Sequence, residues 1–248
     1  MSRKIVIVGA TSSIAEHCAR LWVAEAASEL VLVVRDAAKA EPIAADLRVR
    51  SPASLISIRT VEFLDARAIS AFVEEVSNSR CPDVVLIAHG SLPDQHACQQ
   101  DLNVGREALE LNAISPVMFA EAFATQFAMV GKGTLAIIGS VAGDRGRKSN
   151  YVYGAAKGLV TRYVEGLQHR FAATDVKIVL VKPGPTDTPM TAHLKLQGAK
   201  LASVSDVAHE IVSAIKVGSP VLYAPRKWAL IMFVIRNLPR FIFNKMDI

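Results

Sequence analysis

Three residues of this sequence have types and spacing suited to moving a proton: Ser140, Tyr153 and Lys157. Ser140 closes the apolar run Leu135-Ala136-Ile137-Ile138-Gly139, so a strand there leaves its hydroxyl at the carboxyl edge of a sheet. Tyr153 and Lys157 stand four apart in Tyr-Gly-Ala-Ala-Lys at the start of a predicted helix, which puts phenol and ammonium on one face. A tyrosine with its ordinary pKa near 10 is a poor acid–base group at neutral pH. The positive charge of a neighbouring lysine is expected to lower that pKa, and a helix N-terminus adds to the effect. Ser140 can then hold a carbonyl oxygen while Tyr153 donates the proton to it. An isolated Tyr-x-x-x-Lys is ordinarily a surface pair. The serine at a strand end and the turn described next argue against that reading here.

Near the N-terminus, Gly9-Ala10-Thr11-Ser12-Ser13-Ile14-Ala15 follows the apolar run Ile5–Val8. A glycine ending a strand, small residues and an opening helix form the arrangement that sets a pyrophosphate against helix N-terminal N–H groups. Small side chains let the backbone approach, and the hydroxyls of Thr11, Ser12 and Ser13 can add hydrogen bonds. A serine-capped turn without a nucleotide has the same composition. The second strand ends in Val33-Val34-Arg35-Asp36. An arginine here pairs with a ribose 2′-phosphate and an acid with a 2′-hydroxyl, so Arg35 facing the ribose favours NADPH and Asp36 favours NADH. The reading leans to NADPH; both residues could also be solvated helix-start positions, with Asp36 a cap. Asp65, after the third strand, is placed to touch adenine and equally to cap the next helix.

These residues need a scaffold that gathers strand ends. Strand patterns fall at Lys4–Val8, Leu30–Val34, Leu55–Phe63, Asp83–Ala88, Gly133–Gly139, Val176–Val181 and Val221–Tyr223. Helical patterns fall near Ile14–Ala27, Ala37–Val49, Ala66–Ser77, Val104–Met129, Tyr151–Ala173 and Val204–Val217. Several strands are apolar at consecutive positions, which marks strands covered on both faces. The alternation predicts a doubly wound α/β domain with a parallel sheet of about seven strands, spanning residues 1–225 and followed by a C-terminal extension, 226–248. Ligands then bind outside the carboxyl ends of the strands, where the unusual residues lie.

At 248 residues, 51% hydrophobic and 21% charged, the chain can bury an ordinary core and is not a disordered sequence. It has no run of about 18 apolar residues, so no membrane-spanning helix is expected, and it opens on a strand pattern that leaves no room for a signal peptide. Cys18, Cys81 and Cys98 show no Cys-x-x-Cys spacing, and the six histidines are scattered singly, so neither disulfides nor a metal site is expected. Net charge is +5, but the segment from Arg226 carries five basic residues against one acid and so holds +4 of it. With no accompanying nucleic-acid-binding motif, nucleic acid is an unlikely partner. In that segment Trp228–Ile235 is an apolar run bracketed by cations, followed by an aromatic cluster after Pro239. It fits an interfacial segment with tryptophan at the boundary and arginines for anionic headgroups; packing on the domain's own core or on a partner subunit fits as well.

The motifs together resemble the short-chain dehydrogenase/reductase family over about residues 4–224. Tyr153 and Lys157 match its Tyr-x-x-x-Lys, Ser140 its serine, and Asn112, in Leu111-Asn112-Ala113-Ile114, its helix asparagine. Pro183-Gly184-Pro185-Thr186-Asp187-Thr188 matches its Pro-Gly motif with a downstream threonine. The resemblance implies a proton relay through Asn112, contacts of Pro183, Gly184, Thr186 and Thr188 with the nicotinamide carboxamide and the phosphates, and a loop Thr188–Ser203 that closes over substrate. It also implies a homodimer or homotetramer in the cytoplasm. Two departures stand out. Ser13 and Ala15 replace glycines of the family's loop, and Ile87-Ala88-His89-Gly90 replaces its Asn-Asn-Ala-Gly. That places Ala88, His89 and Gly90 near the nicotinamide ribose, with His89 more a structural than a catalytic histidine. Tyr151 is expected to pack or to line the pocket.

The implied activity is hydride transfer from NADPH, or NADH, to a substrate carbonyl. The Ala-Pro-Arg-Lys-Trp lead-in and apolar-basic tail resemble the decaprenylphosphoryl-pentose 2-keto reductase branch, which points to a lipid-linked keto sugar and to contact with the inner face of a membrane. A long-chain 3-keto lipid and a small soluble ketone are the enzymatic alternatives. An epimerase, or a nucleotide-sensing scaffold that kept the fold, stands further off.

Overall fold

The computed structural model describes residues 2–192, 196 and 198–246. Seven strands, β1 (Arg3–Val8), β2 (Ser28–Val34), β3 (Leu55–Thr60), β4 (Val84–Ile87), β5 (Lys132–Ile138), β6 (Asp175–Pro183) and β7 (Val221–Ala224), form one sheet in the order 3-2-1-4-5-6-7. Every pair is parallel. The order reverses at β1, whose neighbours are β2 and β4, so the crevice for a ligand opens at the carboxyl ends of β1 and β4.

Both faces of the sheet are covered, and successive side chains serve opposite cores. Ile5 and Ile7 of β1 join one apolar cluster, with Trp22 of α1 (Ser13–Glu25), Leu47 of α2 (Ala37–Arg50) and, beyond them, Ile211 of Val204–Val217. Val6 and Val8 join the other, with Phe72 of α3 (Ala66–Asn78) and with Phe119, Phe123 and Phe127. This is the period of two expected of a strand buried on both sides. At roughly 1.5–3 kcal/mol for each large buried side chain, these two layers supply the main driving force of folding.

Three stretches depart from the sequence expectation. β3 stops at Thr60 rather than Phe63, because its partner β2 ends at Val34 and the ladder has no further residue to pair. Val61 and Phe63 instead turn inward and are buried. The expected helix Val104–Met129 is three pieces: α5 (Leu102–Leu109), a π-turn (Glu110–Ile114) and α6 (Ser115–Val130). A further short helix, α4 (Gln95–Gln100), lies in what reads as loop, started by Asp94 accepting from the Ala97 N–H. The continuous helical run Leu102–Val130 does reach the length and mean hydropathy, 1.3, of a membrane-crossing helix. Phe119, Phe123 and Phe127 are nevertheless fully buried against the sheet, as in a core helix.

The C-terminal residues fold back on the domain as α9 (Lys227–Asn237) and α10 (Arg240–Phe243), which follow α7 (Tyr151–Arg170) and α8 (Val204–Val217). Met232 is buried, and the indole of Trp228 lies so close to Gly184 that a β-carbon there would meet its Nε1 at 2.0 Å. Trp228 is half-buried, with the nitrogen edge of its indole packed against Gly184. Arg145 clamps the segment from the other side, donating to the carbonyls of Ile235 and of Leu238 (2.8 Å) with its guanidinium 3.8 Å from the Phe243 ring centre.

Candidate active site

One cavity of about 750 Å³ runs along the carboxyl ends of the strands. Its wall begins at Gly9, Thr11, Ser12, Ser13 and Ile14, continues over Arg35 and Asp36, passes Ala88, His89 and Gly90, and reaches Ser140, Tyr153 and Lys157. Pro183, Gly184, Thr186 and Thr188 close it. Of the residues singled out in the sequence, Asp65 and Asn112 stand outside this wall. Asp65 caps α3, accepting from the N–H groups of Arg67 (2.8 Å) and Ala68 (3.2 Å), so its carboxylate is spent on the helix. Tyr151 is exposed and also stands outside it.

The glycine loop has the geometry that could hold a phosphate group. Gly9 has φ +81° and a β-carbon there would lie 2.6 Å from the His89 nitrogen, so only glycine keeps β1 and β4 this close. Ser12 is the N-cap of α1 yet makes no side-chain cap bond, which leaves its hydroxyl and the first-turn N–H groups facing the cavity. At the end of β2, Arg35, Asp36 and Lys39 all line the cavity; Asp36 accepts from the Ala38 N–H at 3.0 Å to cap α2, and its other oxygen lies 3.8 Å from Lys39 Nζ.

At the other end the groups are buried. Lys157 is 3% exposed, donates to the carbonyl of Ile138 at 3.0 Å, and lies 5.8 Å from the centre of the Tyr153 ring. Burial lowers its pKa to about 8. The Tyr153 pKa is raised, first by burial around its hydroxyl, with a hydrogen bond from Ser140 acting the other way. This corrects the sequence expectation of a lowered phenol: removal from water outweighs the hydrogen bond that Ser140 supplies. Ser140 Oγ accepts from the Ala142 N–H (3.1 Å), which orients it at the head of the 3₁₀ turn Val141–Asp144.

Asn112 is fully buried in the π-turn, the extra residue of which breaks the regular helical ladder. Its Oδ1 accepts from the Ser91 N–H (2.8 Å) and its Nδ2 donates to the Ala108 carbonyl (2.9 Å). A β-carbon on Gly90 would meet Asn112 Oδ1 at 2.7 Å and Lys157 Nζ at 3.7 Å, so the two polar groups converge behind that glycine. His89 is a packed residue: its Nε2 is 2.9 Å from Ser115 Oγ, and its ring is edge-on to Phe63 and Phe119. Burial pushes its pKa down to about 3, so it is neutral.

The structure also brings in residues that the sequence reading passed over. Arg147 and Asn150 line the cavity between Ser140 and Tyr153, whereas Met190 and Thr191, which line it too, belong to the loop Thr188–Ser203 already expected over the substrate. Part of that loop, residues 193–195 and 197, lies outside the described residues. Arg147 was visible as a cation in the motif-bearing interval, but nothing in its spacing marked it out. Behind the wall, Lys182 and Asp144 form a buried ion pair (2.6 Å), and the Tyr223 hydroxyl donates to the same carboxylate (2.7 Å).

Comparison with known proteins agrees with this geometry. The short chain dehydrogenase family model matches residues 3–198. An uncharacterized oxidoreductase of Mycobacterium tuberculosis is 32% identical over 98% of this chain and 96% of its own. Another, of Streptomyces coelicolor, is 28% identical over the same shares. Among solved structures, a short-chain dehydrogenase from Sphingobium yanoikuyae in complex with NADPH superposes with a TM-score of 0.83 at 20% identity, covering 99% of this chain and 96% of that one. The chain belongs to the short-chain dehydrogenase family and is an oxidoreductase.

Proposed function

We propose that this oxidoreductase reduces a carbonyl to an alcohol with NADPH, and that the carbonyl is borne by a lipid-linked keto sugar. The observation that carries the reading is the placement of Ser140, Tyr153 and Lys157 in the same cavity wall as the Gly9 turn and Arg35. NADPH is favoured over NADH because the cavity wall after β2 carries two cations, Arg35 and Lys39, against one carboxylate, Asp36, which caps α2 and pairs with Lys39 at 3.8 Å. Thr11, Ser12, Ser13 and Ile14 would hold the phosphates, and His89, Gly90, Gly184 and Thr188 the nicotinamide end.

When bound, the nicotinamide supplies the hydride. Ser140, its Oγ oriented by the Ala142 N–H, turns its hydroxyl proton from Tyr153 to the carbonyl oxygen when substrate enters. Tyr153, kept protonated by burial, gives its proton to that oxygen. Lys157, below its pKa of about 8 at neutral pH, stabilises the phenolate that remains. Asn112, fixed by Ser91 and Ala108, carries the relay that reprotonates it.

The lipid carrier is supported by the C-terminal helices, where Leu230 (71% exposed), Phe233 (66%) and Phe241 (70%) stand among Lys227, Arg236, Arg240 and Lys245. Such a face suits the cytoplasmic surface of an anionic membrane, where a lipid-borne substrate would be met. It equally suits a long-chain 3-keto lipid, the alternative substrate. Exposed Leu102, Leu109 and Ile114 support assembly as a homodimer or homotetramer, and the free thiols of Cys18, Cys81 and Cys98 a reducing compartment.

Turnover of Tyr153→Phe tests the assignment, with NADPH oxidation followed on lipid-linked and soluble ketones. A loss of roughly 1,000-fold with NADPH affinity nearly intact is expected from removing a general acid. Retained turnover would overturn the roles given to Tyr153 and its neighbours.

A further inference from the structure

Among the described residues, six buried side-chain polar atoms have no hydrogen-bond partner, and three of them gather about the N-terminus of α7: Gln95 Nε2, Arg147 Nε and Asn150 Oδ1. An unpaired buried donor or acceptor is costly and calls for a partner. Arg147 and Asn150 both line the cavity, within six residues of Tyr153. They are held in one turn, the Arg147 carbonyl accepting from the Asn150 N–H at 3.2 Å. Gln95 uses its Oε1 to fix the start of the helix, accepting from the Val152 N–H at 3.0 Å.

The charges around Arg147 sharpen the chemistry. Among the described residues the cavity wall holds four cations, Arg35, Lys39, Arg147 and Lys157, and one carboxylate, Asp36, which lies with Arg35 and Lys39 after β2. Asp144, the nearest acid to Arg147 in the chain, is committed to Lys182 and Tyr223. Arg145 is committed to the carbonyls of the C-terminal helices. Arg147 thus presents a charged guanidinium fork to the cavity, partly buried and without an ion pair among the described residues, and burial is the one influence on its pKa, which it lowers. A donor fork asks for an oxyanion, and the neighbouring amide oxygen asks for a hydroxyl.

We propose that Arg147 and Asn150 form a substrate subsite for a phosphate-class oxyanion flanked by hydroxyl groups. This rests on the reading of the cavity as a reductase site, and it separates the two substrates left open there. A keto sugar on a phosphate satisfies both residues; a neutral long-chain keto lipid leaves both unpaired. The shared chemistry is the phosphate, which a lipid carrier or a free sugar phosphate can bring.

The test is a titration of the full chain saturated with NADPH, using ribitol 5-phosphate, unphosphorylated ribitol and farnesyl phosphate as probes. The phosphorylated polyol is expected to bind at least about tenfold tighter than ribitol, and Arg147→Met to abolish that difference, as for loss of a charge-assisted hydrogen bond. Arg147→Lys keeps part of it, and NADPH affinity stays within about twofold in both variants, which shows that they fold. Tighter binding of farnesyl phosphate than of ribitol 5-phosphate assigns the phosphate to a lipid carrier; the reverse assigns it to a soluble sugar phosphate. Equal affinity for ribitol and its phosphate, or phosphate binding unchanged in Arg147→Met, overturns the subsite. Failure of the wild type to bind NADPH is a different result, and it overturns the reductase reading instead.

Discussion

The two ends of the cavity are built on opposite principles. After β2, Arg35, Asp36 and Lys39 stand exposed to solvent, where a charge costs little to hold and interacts weakly with its neighbours. At the other end, Asn112 of the π-turn before β5 and Lys157 after it are buried and Tyr153 is half-buried, and removal from water shifts the lysine and the phenol away from their ordinary pKa values. The exposed end can select a nucleotide by contact alone. The buried end can do acid–base chemistry because Lys157 is brought near the point where it changes protonation while Tyr153 is held protonated.

Substitutions should expose this difference, the largest effects falling at the buried end. Lys157→Met is expected to lower turnover by roughly 100-fold, the usual worth of a group in a proton-transfer step. In the wild type, turnover should fall as pH rises through about 8, where Lys157 loses its charge. Stability moves the other way. The native pKa lies below the ordinary 10.5, so between these values the unfolded chain binds the extra proton and stability rises with pH. Urea melts of the wild type from pH 8 to 10.5 should gain up to about 3 kcal/mol relative to Lys157→Met.

His89 gives the next effect. Its native pKa of about 3 is far below the ordinary 6.5, so its contribution is complete above pH 6.5 and is lost as pH falls toward 3, while the unfolded chain takes up a proton that the native state refuses. A slope approaching about 1.4 kcal/mol per pH unit is expected across that window and should flatten in His89→Gln. A wild type and variant with parallel acid profiles would contradict the packed, neutral histidine.

The exposed end should respond more gently and more selectively. Arg35→Ala is expected to weaken NADPH about tenfold while leaving NADH nearly unchanged, read by nucleotide fluorescence. Asp36→Ala should cost about 1 kcal/mol of stability through the lost cap of α2, with little change in nucleotide preference. A gain in NADPH affinity in that variant would instead place the carboxylate against the ribose.

Much of this was legible in the sequence because it is local. A glycine ending the first strand, a serine at the end of the fifth and a tyrosine four residues before a lysine carry their geometry in their spacing, and a parallel sheet covered on both faces follows from the alternation of elements. Three things were not legible. The direction of the Tyr153 shift depends on how many atoms crowd its hydroxyl, which spacing does not report. The π-turn that presents Asn112 arises inside a sequence that reads as one unbroken helix. Trp228 and Arg147 acquire their places by tertiary contact, one against Gly184 and the other in the cavity wall, and neither is signalled by its neighbours in the chain.

The central claim, that the Gly9 turn and the Ser140–Tyr153–Lys157 group serve one nucleotide-dependent site, is tested most directly by titrating the full chain with NADPH and following nucleotide fluorescence. The account predicts saturable binding, tighter for NADPH than for NADH, that survives in Tyr153→Phe. Absence of binding would contradict it, because Ser13, Ala15 and Ala88 would then have closed the site to a dinucleotide.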